Sequence, residues 1–239
     1  MPPSFGFAAT VLESETWLVQ QLDLCALRIE PSLAAADGWW KGARVRLETH
    51  VCAGGPIRYA RFTRLVGDGL EIGNVLCMAR PSYPVPILGA DLVALGRGVG
   101  MLAADLSPTA PCGPERDRQL GRLRALRSRA PSLPPGGVLP AWCQAWFSPY
   151  ALYTRVGVEQ APEAIRAYLA FPHVFVELVR EAAPDPALLP VIEVAQAGYA
   201  RAHRSDDIGL RLLGKMFGES WAQRYIDQVL FPAPSDVPC

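Results

Sequence analysis

The sequence offers little that would announce a metal or a resident cofactor. Among its 239 residues are six cysteines and three histidines. Cys25, Cys52, Cys77, Cys112, Cys143 and Cys239 form no CxxC pair, the close spacing that zinc and iron–sulfur ligation favours. His50, His173 and His203 are far apart, so a centre built on imidazoles is not expected. Neither GxGxxG nor GxxxxGKS/T occurs, which leaves a Rossmann or P-loop nucleotide site without support. There is no charge excess: Lys+Arg and Asp+Glu both number 23, and a general nucleic-acid binder would be basic. No apolar run approaches the roughly eighteen residues of a membrane-crossing helix. The opening stretch, MPPSFGFAATVLESETWLVQ, lacks the basic start and apolar core of a signal peptide. The expectation is a cytoplasmic monomer with free thiols, no bound cofactor, and neither membrane nor nucleic acid as partner.

What is present suits a globular protein. Half the residues are apolar and 19% are charged, enough to bury a sizeable core. Glu13–Leu22 reads as a short amphipathic helix and residues 31–42 as a loop. In RVRLETHV, Val45, Leu47, Thr49 and Val51 alternate with Arg44, Arg46, Glu48 and His50, the signature of a half-buried strand. Further strands are expected over 57–66, 70–79, 87–95 and 100–106. They are punctuated by AGGP, GDG, PSYPVP and GRG, and connections this short force antiparallel pairing. A sixth strand is expected within 150–155. Helical periodicity then takes over, at about 162–182, 186–203 and 206–230. Strands first and helices afterwards argue for an α+β fold, with all 239 residues in one domain.

Three polar residues interrupt apolar stretches: Asn74 in LEIGNVLCM, Asp91 in PILGADLVALG, and Asp207, beside Asp206, at the start of the last helix. The interval from 74 to 91 is centred on Ser82–Tyr83. A hairpin symmetric about that centre sets Asn74 opposite Asp91, with both side chains on one face. A slip of one residue separates them. Each residue also has an ordinary structural explanation. Asp207 suits a helix N-cap or first turn, Asp91 a solvated strand face, and Asn74 a buried amide bonded to backbone. A carboxyl group in a water-poor pocket, by contrast, is a useful acid near neutral pH.

Two long segments carry a resemblance. PSYPVPILGADLVALGRGVGMLAADLSPT (81–109) resembles the central block of the ferredoxin-dependent bilin reductases, and FGESWAQRYIDQVLFP (217–232) resembles their ending. FSPYALY (147–153) and RFTRLVGDGLEIGN (61–74) are similar to shorter family segments. The resemblance implies a three-layer α/β/α sandwich with a central antiparallel sheet and the bilin between sheet and C-terminal helices. It implies Asp91, Asp207 and Asn74 as catalytic residues, and Asp206, Phe147, Ser148 and Leu88 as substrate-binding residues. It also implies ferredoxin as an external electron donor, biliverdin IXα or dihydrobiliverdin as substrate, and radical intermediates. Family members that form phycocyanobilin carry His at the position of Asn74, and Glu and another His on the preceding strand. Here that strand reads Tyr59-Ala60-Arg61-Phe62-Thr63-Arg64, which brings the chain nearer to members acting at the 15,16 methine bridge, some continuing to phycoerythrobilin. Reduction of a vinyl group or the A ring, giving phycocyanobilin or phytochromobilin, is the alternative, as is a non-catalytic bilin carrier. The arginines of 116–129 suit either a solvated helix face or a basic surface for acidic ferredoxin.

Overall fold

The computed structural model describes residues 4–96, 98–205 and 207–232, except the side chains of Trp142 and Asp207. Its centre is an eight-stranded antiparallel sheet. The strands are β1 (Cys25–Ala26), β2 (Ala35–Trp40), β3 (Ala43–Gly54), β4 (Ile57–Gly67), β5 (Leu70–Ala79), β6 (Ile87–Leu95), β7 (Gly100–Ser107) and β8 (Leu152–Val156). Their spatial order is β1-β3-β4-β5-β6-β7-β8, with β2 also paired to β3. The run from β3 to β7 is the meander expected from the short turns.

The helices are α1 (Phe7–Leu22), α2 (Pro31–Ala34), α3 (Pro114–Arg129), α4 (Ala141–Gln144), α5 (Ala161–Glu181), α6 (Leu189–Arg204), α7 (Asp207–Phe217) and α8 (Glu219–Tyr225), followed by a π-helical turn at Ile226–Leu230. They cover both faces of the sheet. On one face Val11 and Leu18 of α1 and Phe171 and Phe175 of α5 pack on Phe62, Val75, Leu88 and Leu102. On the other, Tyr199 of α6, Met216 of α7 and Tyr225 of α8 pack on Leu47, Leu65, Leu76 and Ile87. This is the α+β layered arrangement, with alternate strand residues feeding the two cores. No helix among the described residues is long and apolar enough to cross a membrane.

Three expectations need correction. Residues 31–42 are not a loop but a short helix and the strand β2. Lys41 and Gly42, with φ of 50° and 83°, form the tight left-handed turn that matches strand twist and folds β2 onto β3. AADGWW hides this because it does not alternate. The helix expected from 13 begins at Phe7. Its first turn has no local capping side chain; instead Glu71 of β5 accepts from the N–H groups of Phe5 (3.1 Å) and Phe7 (2.9 Å). The last helix is broken at Gly218, whose φ of 93° is left-handed backbone that ends a helix readily only at glycine.

Candidate active site

Asn74 and Asp91 are direct partners in the β5–β6 ladder, so the hairpin has the register expected from its symmetry. Both side chains leave the sheet on the face covered by α6, α7 and α8. The Asn74 amide Nδ2 donates to Asp91 Oδ1. Its Oδ1 accepts from Arg61 Nη2. Arginine can only donate, so the atom facing Arg61 must be oxygen, and that settles which end of the amide reaches Asp91.

Arg61 is fully buried. Its Nη1 donates to Thr63 Oγ1 at 3.1 Å, and its guanidinium lies 5.8 Å from the Phe231 ring centre. Thr63 in turn meets the Tyr225 hydroxyl at 2.9 Å, and Tyr225 meets Thr49 at 2.5 Å. A continuous polar line thus runs along the sheet from Thr49 to Asp91, with its hydroxyls and amide paired as buried polar groups must be. The sequence reading saw this strand only as lacking a carboxylate or an imidazole. A cation between the apolar neighbours Ala60 and Phe62 was the available signal.

Above Asp91 stand three rings. Tyr199 and His203 of α6 lie with ring centres 4.0 Å apart, and His203 and Phe231 4.6 Å apart. His203 Nδ1–H donates to the Tyr199 carbonyl at 3.0 Å. Burial holds this imidazole neutral, pulling its pKa down to about 4, and pushes the Tyr199 hydroxyl well above its ordinary value. Gly89, two residues before Asp91, lets the Tyr199 hydroxyl approach, because a Cβ there would lie 2.5 Å from it. Phe147 and Ala103 complete the wall. The free space among these groups is about 10 Å³, too little for more than a water.

A second carboxylate shares this face. Asp105 of β7, paired with Gly89 in the ladder, is fully buried. It accepts from Ser148 N–H (2.7 Å), Ser148 Oγ (2.5 Å) and Ser107 Oγ (3.0 Å). Burial raises its pKa and these donors oppose the rise. The hydroxyl and N–H of Ser148 are therefore both engaged with Asp105, and Ser148 anchors the segment carrying Phe147 rather than lining the cavity. Leu88 is also misplaced by the expectation. It is one residue out of phase with Asp91, fully buried in the core beneath α1 and α5 on the opposite face. Asp207 begins α7; its side chain and the whole of Asp206 lie outside the described residues.

The arginine-rich helix α3 packs against α5, in the layer remote from Asp91. Arg118 pairs with Glu115 and Glu181, and Arg122 with Glu177 and Glu181, so two of its six arginines are neutralised by neighbouring carboxylates. A wider groove of about 860 Å³ between α3 and α5 has no connection to the carboxylates.

The model of the family described as ferredoxin-dependent bilin reductase matches residues 13–232. Phycocyanobilin:ferredoxin oxidoreductase of Synechococcus sp. (strain CC9605) is 31% identical, with 82% of this chain and 79% of that protein covered. The 15,16-dihydrobiliverdin:ferredoxin oxidoreductase of Prochlorococcus marinus (strain MIT 9303) is 31% identical, with 72% of each covered. Among solved structures, phytochromobilin synthase from tomato in complex with biliverdin superposes with a TM-score of 0.83 over 98% of this chain and 85% of that one, at 16% identity. On the strength of the family match and these relatives, the chain belongs to the ferredoxin-dependent bilin reductases, oxidoreductases that draw their electrons from ferredoxin.

Proposed function

We propose that the protein reduces biliverdin IXα at its 15,16 methine bridge, giving 15,16-dihydrobiliverdin. The observation that carries this reading is Asp91, a carboxyl group held by an amide on the wall of a narrow cleft lined by Tyr199, His203 and Phe231. Two reduced ferredoxins deliver one electron each and two protons are added, so that one carbon–carbon double bond becomes single. Asp91 gives one proton as general acid, and Asp207, at the start of α7, gives the other. Between the two transfers the conjugated tetrapyrrole itself holds the unpaired electron. A ligand of this size needs several hundred Å³, so His203 and Phe231 must swing away to admit it.

Asparagine at 74, with Arg61 and Thr63 on the strand beside it, supports bridge reduction over vinyl reduction, because none of these three sheet positions carries an imidazole to relay a proton. The greater coverage of the phycocyanobilin-forming relative favours vinyl reduction as the second reading. An anaerobic assay with reduced ferredoxin and biliverdin, with the product identified by chromatography and absorbance, separates them. 15,16-Dihydrobiliverdin is expected, with phycoerythrobilin if reduction continues. Phycocyanobilin or phytochromobilin overturns the bridge assignment, and bilin that binds without being consumed identifies a carrier.

A further inference from the structure

Among the described residues, Arg61 has no carboxylate in direct hydrogen-bond contact. It has no exposed surface, and a guanidinium cannot shed its proton to escape the cost of burial. Its hydrogen bonds go to Thr63 Oγ1 and Asn74 Oδ1, both neutral, and its Nε has no partner. The nearest carboxylate along its contacts is Asp91, on the far side of the Asn74 amide. The three side chains come from neighbouring strands β4, β5 and β6, each a rigid support.

We propose that Arg61 is a positioning residue that locks the Asn74 amide, directs the Asp91 proton to Oδ2 and makes that acid a stronger donor to the tetrapyrrole. The logic is one of donors and acceptors. Arg61 must face the amide oxygen, so Asn74 presents N–H to Asp91. An oxygen that accepts from N–H is a poor place for the carboxyl proton, so the proton resides on Oδ2. Without Arg61 the amide is free to turn over and offer its oxygen, which invites the proton to Oδ1, away from substrate. The positive charge acts in the same direction as the lock. Behind the amide it favours the ionised carboxylate, so the proton is released more readily.

Among the described residues, the other titratable groups near Asp91 are two tyrosines, a histidine and a carboxylate, and Arg61 is the cation nearest to it along the hydrogen-bonded line. On α6, His203 is neutral above about pH 4 and burial keeps the Tyr199 hydroxyl protonated. On α8, burial does the same for Tyr225. On β7, Asp105 is held by its own serines. Asp207 stands at the start of α7, and its side chain lies outside the described residues.

This inference rests on Asp91 being the acid, and the test separates the two claims. The pH dependence of kcat/KM is measured with reduced ferredoxin and biliverdin for the wild type, Arg61→Gln, Arg61→Lys and Asp91→Asn. A general acid is active while protonated, so activity falls as pH rises through its proton affinity. In Arg61→Gln that falling limb moves to higher pH by about one unit, and kcat drops severalfold. Arg61→Lys, which restores the charge but not the planar fork, keeps the limb in place with a lowered kcat. If Arg61→Gln does not fold, Arg61→Met provides the same loss of charge without a buried polar group to satisfy. An unmoved limb in the neutral variants, with Asp91→Asn inactive, overturns the role of Arg61 alone. Wild-type turnover in Asp91→Asn overturns Asp91 itself.

Discussion

Asn74 Nδ2 donates to Asp91 Oδ1 across a direct antiparallel pair in the middle of the sheet. Neither residue is at a loop tip or a sheet edge. The pair is flanked by β4 on one side and β7 on the other, so its geometry is fixed by ladder hydrogen bonds rather than by side-chain rotamers alone. A proton donor has to meet the reacting atom within a few tenths of an ångström. Such a platform gives the proposed donor, Asp91, a rigid support.

The most direct prediction concerns Asp91→Asn. The amide is isosteric and keeps the cleft filled, but it has no proton to give. Bilin binding should persist, seen as the absorbance change on titration with biliverdin. Turnover should fall by about a hundredfold or more, the usual contribution of a general acid, with a long-lived organic radical detectable by electron paramagnetic resonance after one-electron reduction. Turnover close to wild type would sink the assignment.

Gly89 is the next test of the cleft's shape. A methyl group there meets the Tyr199 hydroxyl at 2.5 Å, and Tyr199 is in turn packed against His203 and Trp146. Gly89→Ala should force the ring and part of α6 outward. We expect about 1–3 kcal/mol of lost stability in a denaturant melt and a tenfold or greater fall in turnover, since small displacements near reacting groups are costly. A variant with unchanged melt and unchanged kinetics would show that Tyr199 is not held in place by this contact.

Periodicity revealed the parts of the fold that depend on neighbours in sequence. The strands β5 and β6 came out with the expected bounds, and the Asn74–Asp91 register followed from turn symmetry, because a hairpin's pairing is set by its own turn. The parts that depend on distant residues were hidden. The first turns of α1 are capped by Glu71 of β5, which no local capping rule detects. The roles of Ser148 and Asp105 emerged only once β7 lay beside the 147–153 segment. Leu88 illustrates a different limit: motif membership brought it into the site, while the alternation of β6 turns it to the other core. Arg61 was visible, but its meaning depended on which side chain lay across the ladder.

The buried His203 makes stability depend on pH. Its folded-state pKa, about 4, lies below the ordinary 6.5 because burial disfavours the imidazolium. Between those values the unfolded chain binds a proton that the folded chain refuses, so stability rises with pH across this window and levels off above it. Thermal melts should show the wild type losing stability from pH 6.5 downward. His203→Phe keeps a ring against Tyr199 and Phe231 but has nothing to titrate, and its melts should decline less steeply over the same range. Identical slopes in the two proteins would mean that other groups govern the acid limb.

The final prediction ties the strand missed in the sequence to the helix that carries the proposed second proton donor. Gly38, in β2, lies under the end of α7: a Cβ there would be 2.4 Å from the Met216 carbonyl oxygen and 2.7 Å from the Phe217 ring. Backbone cannot yield as a side-chain tip can, so Gly38→Ala must lift α7 from the sheet. Overpacking of this kind costs about 1–3 kcal/mol, which a melt will register. Because α7 begins at Asp207, the same displacement moves the proposed second proton donor. Assayed at a temperature where circular dichroism shows the variant folded, turnover should fall while the first one-electron reduction still yields a bilin radical. Full turnover in a destabilised variant would remove Asp207 from the mechanism and leave β2 a purely structural support.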